Sequence, residues 1–211
     1  MLKWGDLVIN KSFFISIEGI DGAGKSTLKE YLVDYLNSDK VICVREPGGT
    51  DISEKIRELL LDVKNEKILP KTEAMLYASA RTQLVEEVIR PALQAGFIVI
   101  ADRYIDSTIA YQGYARGLDI AYLHQLNALS SNGLKPNLTL LLDLDPNIGQ
   151  ERKILLKPDR LEKEGIIFQE KVREGYLELA HLEPERIKVL DASLPRDVVA
   201  ANGVDLVRAF L

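Results

Sequence analysis

The sequence predicts an α/β fold: a five-stranded parallel sheet with helices on both faces, in a single domain spanning residues 1–211. Three observations predict it. Short apolar, β-branched runs alternate with longer helical patterns. Within the runs the hydrophobicity is continuous rather than alternating, as in strands covered on both faces. The first run leads straight into the glycine-rich "GIDGAGKST", a turn of the kind that joins a strand to a helix.

In chain order, the strand runs are "FFISIE" at 13–18, "VICVR" at 41–45, "FIVIAD" at 97–102, "LTLLLDL" at 138–144 and "IKVL" at 187–190. Helical periodicity covers about 25–37, 52–61, 72–93, 120–131, 147–155, 166–182 and 195–209. Pro47, Gly48 and Gly49 force a turn after the second strand, and Thr50 or a near neighbour caps the helix that follows. The stretch "DSTIAYQGYARG", 106–117, reads as a loop after the third strand, more crowded with functional side chains than a connection needs. The stretch "KILLKPDRLEKEG", 153–165, is charged and broken by Pro158, which predicts an exposed flap between two helices. No internal repeat, low-complexity tract or Pro/Gly/Ser linker divides the chain.

At 211 residues the chain is long enough to bury roughly 70% of its unfolded surface. A formal charge of -5, from 27 basic and 32 acidic residues, argues against a nucleic-acid partner, whose phosphates call for a basic surface. Any anion the protein holds must therefore meet a local cluster of arginines. The single cysteine, Cys43, rules out an internal disulfide and a multi-cysteine metal site, and its apolar neighbours predict an inert core thiol. No apolar run approaches the roughly 20 residues of a membrane span, and "MLKWGDLVIN" lacks the apolar segment of a signal peptide, so a cytoplasmic location is expected. His124, His181 and Trp4 stand alone and receive no role.

Gly19, Gly24, Lys25 and Ser26 fit the phosphate-loop pattern G-x-x-x-x-G-K-[ST] between a strand and a helix, the context that pattern requires. Amides from Gly22 through Ala23 and Gly24 to Ser26 are placed to cradle a β-phosphate, Lys25 to bridge β and γ oxygens, and the Ser26 hydroxyl, next to Thr27, to ligate magnesium. Asp21 is an oddity, a carboxylate inside a loop built for anions. Asp102 and Arg103 of "ADRY" lie at a strand's carboxyl end, where open α/β sheets gather ligands; Asp102 suits water-mediated contact with magnesium and Arg103 an acceptor's phosphate, or the two form a surface ion pair. Arg57 falls on one face of the helix after the turn, as a site residue or a solvated charge. Tyr77 and Arg81 share a helix face, either to stack on and hydrogen-bond a base or to pack in the core.

These motifs, with "REPGGT", "ADRYIDSTIAYQGYARG", "LDLDP", "PDRLE", "EKVREGYLELA" and "DASLP", give the chain over about 13–200 a resemblance to bacterial thymidylate kinases of the P-loop nucleoside monophosphate kinase family. The resemblance implies transfer of the γ-phosphoryl group of ATP, with magnesium, to dTMP. It implies that Arg57 and Arg103 clamp the dTMP phosphate beside Glu46, and that Tyr77, more usually phenylalanine, stacks on the base. It implies too that Arg81, Thr108 and Gln112 read thymine's polar edge, that Tyr111 sits at the sugar, that Arg152 stacks on adenine, and that the protein is a homodimer. Asp21 is then free to accept from the 3′-hydroxyl of dTMP, because the acceptor lies across the loop from ATP. No general base is needed, since the attacking phosphate oxygen is already anionic.

Some thymidylate kinases carry an arginine where Gly22 stands here, able to reach the transferring phosphoryl group. The missing charge is therefore expected from the flap 153–165 acting as a lid, with Arg160 foremost and Lys153 and Lys157 behind it. Two rivals remain. A deoxynucleoside kinase of related fold has no use for Arg57 together with Arg103, and a GTP-dependent switch protein calls for [NT]-K-x-D, whereas "LKPD" has Leu156 in the first position.

Overall fold

The computed structural model describes residues 12–153 and 159–211. Five parallel strands, β1 (Phe13–Gly19), β2 (Val41–Arg45), β3 (Ile98–Asp102), β4 (Leu138–Asp143) and β5 (Ile187–Asp191), lie in the order β2-β3-β1-β4-β5. The central strands are mostly apolar because both their faces are covered: every residue of β1 is buried, Ser16 and Glu18 included. Ile15, Ile17, Ile98 and Ile100 pack with Leu28 and Leu32 of α1 (Lys25–Leu36), while Phe14, Val99 and Ala101 pack with Leu84, Val85 and Ile89.

The register sets Ile17 beside Asp102 and Gly19 beside Leu142, so β1, β3 and β4 deliver their carboxyl ends to one rim. α1 opens on this rim. Its N-cap, Gly24, has φ 96° and contributes no capping side chain, which leaves the first-turn amides of the helix to an anion. α2 (Asp51–Leu61) is capped by Thr50, whose Oγ1 accepts from the Ser53 amide at 3.1 Å, as the sequence predicts. Beyond it come α3 (Pro70–Leu84), a wider π-type turn at Val85–Ile89, and α4 (Arg90–Gln94).

Two expectations need correction. Residues 106–117 are mostly helical: α5 (Ile105–Thr108) runs on into π-type turns over Ile109–Ala115, and Ile109, Ala110 and Tyr111 are buried in the main core. Tertiary burial outweighs the poor helix propensity of a segment rich in β-branched and aromatic residues. Cys43 is exposed rather than core, because β2 is an edge strand in which only Val44 is buried, on the face opposite Cys43. The remaining helices are α6 (Ile120–Ser130), α7 (Pro146–Arg152), α8 (Ile166–Leu182) and α9 (Arg196–Phe210). Among the described residues no helix is long and apolar enough to cross a membrane. Of the flap, residues 154–158, including Lys157, lie outside the described residues, as does Trp4.

Candidate active site

Two cavities meet at the rim of the sheet. The larger, about 910 Å³, is lined by the loop from Asp21 to Thr27, by Asp102 and Arg103, and by Arg152, Lys153 and residues 192–196. The smaller, about 170 Å³, is lined by Tyr77, Arg81, Thr108, Tyr111 and Gln112 with Pro47, Leu61, Asp159, Leu161 and Glu162 among others. Asp21, Glu46, Arg57 and Arg103 line both, so they form the junction between the cavities.

The phosphate loop takes its shape from glycine. Gly19, Gly22 and Gly24 all have φ in the left-handed half of the map, and a Cβ on Gly22 would stand 2.4 Å from the Gly149 carbonyl oxygen of α7. Lys25 Nζ donates to the Gly19 and Ile20 carbonyls at 3.1 and 2.9 Å. Burial, helped by the charge of Arg103, pushes its pKa down to about 8. The Ser26 side chain is exposed to the cavity.

Arg103 is the hub of the junction. Its backbone sits at φ 70°, a conformation unusual for a residue with a Cβ, held by donation of its amide to the Ile17 carbonyl at 3.0 Å. Its guanidinium donates to Asp21 Oδ1 at 2.6 Å, to the Gly19 carbonyl at 3.0 Å and to the Tyr176 hydroxyl at 3.1 Å, and lies 5.0 Å from the centre of the Tyr111 ring. Burial alone would raise the Asp21 pKa, but Arg103 and Lys25 overcome it and hold the carboxyl well below the usual range. Arg57 is braced by donation to the Pro47 carbonyl at 2.8 Å, so the turn after β2 aims it at the junction.

Arg81 is almost wholly buried and fully braced. It donates to Glu46, Asn127, the Tyr104 carbonyl and Thr108 Oγ1. Burial pushes Glu46 up to about 7 although Arg81 opposes the rise, and Glu46 Oε1 has no hydrogen-bond partner among the described residues. At the other end of the large cavity, Arg152 donates to the Gly22 and Ala192 carbonyls at 3.2 and 3.1 Å, which ties the phosphate loop to "DASLP".

Arg160 is where the structure departs from the sequence reading. It is buried away from the phosphate loop, with Nε donating to the Leu60 carbonyl at 2.6 Å and Nη2 2.6 Å from Glu73 Oε2. A buried carboxylate on α3 attracts the guanidinium more strongly than an open cavity does. Among the described residues, Lys153, paired with Glu162, is the flap cation that lines the large cavity, and its charge helps lower the Asp21 pKa.

Several contributors escaped the sequence reading. Glu18 is fully buried and accepts from Ser16, the Tyr104 amide, Ser107 and Tyr176; burial, with the charge of Asp106, raises its pKa. Through Ser107 and Tyr176 it fixes the surroundings of Arg103. A carboxylate ending an otherwise apolar strand was the one available signal. Glu73, Asn127, Ser107 and Tyr176 gave none, because each acquires its role from a partner distant in sequence.

The family model of the thymidylate kinases matches residues 17–202. The chain belongs to the thymidylate kinase family. It is 49% identical to the thymidylate kinase of Lactobacillus acidophilus over 92% of this chain and 93% of that one. It is 50% identical to that of Syntrophotalea carbinolica over 89% and 91%. The solved thymidylate kinase of Ehrlichia chaffeensis superposes with a TM-score of 0.75 at 32% identity, covering 93% of this chain and 99% of that one. Family membership and the parallel sheet agree with the P-loop kinase fold expected from the sequence.

Proposed function

We infer that the enzyme transfers the γ-phosphoryl group of ATP to dTMP, giving dTDP and ADP, with ATP in the large cavity and dTMP in the small one. The observation that carries this arrangement is the junction: two cavities share a wall made of Arg103, Arg57, Asp21 and Glu46. Two arginines at that wall suit an acceptor that is itself a phosphate, which favours a monophosphate kinase over a nucleoside kinase.

In the assignment proposed here, Gly22 to Thr27 hold the ATP phosphates, Lys25 neutralises charge as it moves between them, and Arg152 meets the adenine. Arg57 and Arg103 align the attacking phosphate oxygen, Tyr77 faces the base, and Tyr111 and Asp21 meet the sugar. Catalysis by alignment and charge cancellation suits a reaction that needs no general base. Lys153 replaces Arg160 as the flap residue nearest the transferred group, and the described flank 159–165 serves as part of a lid, since Asp159, Leu161 and Glu162 already wall the acceptor cavity.

Magnesium fits this site. Among the described residues no cluster of three or more His, Cys, Asp or Glu side chains could hold an ion alone. Magnesium bound mainly by nucleotide phosphates and water needs only one or two protein oxygens, and Ser26 and Asp102 both line the large cavity. When bound it neutralises phosphate charge.

We further propose a cytoplasmic homodimer, supported by family likeness and by exposed Ile52 and Leu59 on α2 and Met75 on α3, helices that pack together. Light scattering on the purified protein tests the assembly. A coupled assay with ATP and a panel of dTMP, dUMP, dCMP, dGMP, dAMP and thymidine tests the activity. Highest kcat/KM is expected with dTMP, and faster turnover of thymidine overturns the reading.

A further inference from the structure

Glu73 lies outside the roles assigned so far, yet it is completely buried, and among the described residues the polar partners of its carboxylate are all donors. Gln112 Nε2 donates to Oε1 at 3.0 Å, Arg116 donates through Nε and Nη2 at 3.2 and 3.3 Å, and Arg160 Nη2 stands 2.6 Å from Oε2. We propose that Glu73 is a specificity-determining positioning residue, which fixes the Gln112 side-chain amide so that its carbonyl, not its nitrogen, faces the base of the acceptor.

The inference rests on the dTMP reading of the small cavity and deepens it. A glutamine amide is chemically two-faced, and in most settings it can turn over to suit a donor or an acceptor. Beside a carboxylate flanked by two guanidiniums it cannot, because presenting Oε1 to Glu73 would set acceptor against acceptor inside a buried site. The Gln112 nitrogen is therefore committed. Oε1 receives no hydrogen bond from any described residue, and Gln112 lines the cavity. Four residues earlier on the same helical segment, Thr108 Oγ1 accepts from Arg81 Nη2 at 2.9 Å, which leaves its own proton to donate.

The cavity thus offers an acceptor at Gln112 and a donor at Thr108. Thymine and uracil present the complement, an N3–H donor beside an O4 acceptor. Cytosine presents the reverse, with an unprotonated N3 beside an amino group. A site built to bond a substrate N–H discriminates strongly against an analogue that leaves a buried group unpaired.

The test compares kcat/KM for dTMP and dCMP in wild type, in Glu73→Gln, and in Arg116→Gln as a control that breaks neighbouring ion pairs without touching Gln112. Glu73→Gln lets the Gln112 amide turn over, and the dTMP/dCMP ratio is expected to fall about tenfold or more while KM for ATP holds. Arg116→Gln is expected to keep the ratio. Should Glu73→Gln not fold because it strands Arg160, the double variant E73Q/R160Q removes the unpaired buried charge and carries the same expectation. An equal loss for both nucleotides in the folded variant overturns the proposal and leaves Glu73 a purely structural anchor. A wild-type enzyme that prefers dCMP would instead overturn the dTMP reading itself.

Discussion

Arg103 and Asp21 form an ion pair, 2.6 Å between Nη2 and Oδ1, on the wall shared by the two cavities. The pair explains how a carboxylate sits in a loop built for anions. Its charge is offset from one side by Arg103 and from the other by Lys25, 3.7 Å away, so the loop stays net positive toward phosphate. It also fixes the direction of the Arg103 guanidinium before any acceptor arrives.

Removing either partner should separate their tasks. If Arg103 holds the acceptor phosphate as proposed, Arg103→Ala should cost about 2–5 kcal/mol, or roughly 30-fold or more in kcat/KM for dTMP. If Asp21 meets the 3′-hydroxyl as proposed, Asp21→Asn should lose that charge-assisted bond, about 1.5–3 kcal/mol. It should therefore impair dTMP more than 3′-deoxy-dTMP and leave ATP binding nearly intact. Steady-state kinetics on folded variants decides both. Unchanged turnover by Arg103→Ala removes that residue from the site, and equal losses with the two acceptors remove Asp21 from the sugar.

The contact between Gly22 and Gly149 predicts paired sensitivity. A Cβ on Gly22 meets the Gly149 carbonyl oxygen at 2.4 Å, and a Cβ on Gly149 meets the Asp21 carbonyl oxygen at 2.7 Å. Gly22 also has φ 82°, which costs a residue with a Cβ about 1–2 kcal/mol. Both Gly22→Ala and Gly149→Ala should raise the Kd for ATP by pushing α7 from the phosphate loop. Isothermal titration with a non-hydrolysable ATP analogue measures this, and wild-type affinity in both variants would show that the loop adapts. The same contact explains why Gly22→Arg is not expected to supply a phosphate-binding arginine in this framework.

Glu46 should make stability depend on pH. Burial lifts its pKa from 4.5 to about 7. The folded state then holds a proton that the unfolded state has released, so stability owed to this group is complete below about 4.5 and is lost as pH rises through about 7. The displacement corresponds to about 3 kcal/mol. Urea unfolding at pH 5 and pH 8 should show Glu46→Gln gaining on wild type at the higher pH, and a pH-independent difference between the two would mean that Arg81 keeps Glu46 ionised.

Arg160→Ala distinguishes a buried brace from a phosphate contact. As the partner of a nearly inaccessible Glu73, Arg160 should cost about 3–5 kcal/mol of stability when truncated, since a buried charge loses part of its compensation. The rate loss at the transferred phosphoryl group should be small beside that of Lys153→Ala. A drop of about 10³ in kcat at unchanged melting temperature would instead return Arg160 to the lid role expected from the sequence.

The sequence by itself determined the parallel sheet, the phosphate loop and most of the residues at the two cavities. Each has a signal carried by near neighbours in the chain. Continuous apolar runs reveal strands covered on both faces, glycine spacing reveals a loop that must take left-handed conformations, and Tyr77 with Arg81 share a face by helical periodicity alone. Only the tertiary structure decided what those residues face. Cys43 lies in an apolar run yet is exposed, because strand order put β2 at the sheet edge. Residues 106–117 look like a loop yet form helical turns, because burial against α8 and the core outweighs local propensity. Arg160 points to Glu73, 87 positions earlier in the chain, because a buried carboxylate draws the nearest guanidinium. Local pattern fixes which chemistry a segment can offer, whereas burial and charge pairing depend on partners that folding alone brings together.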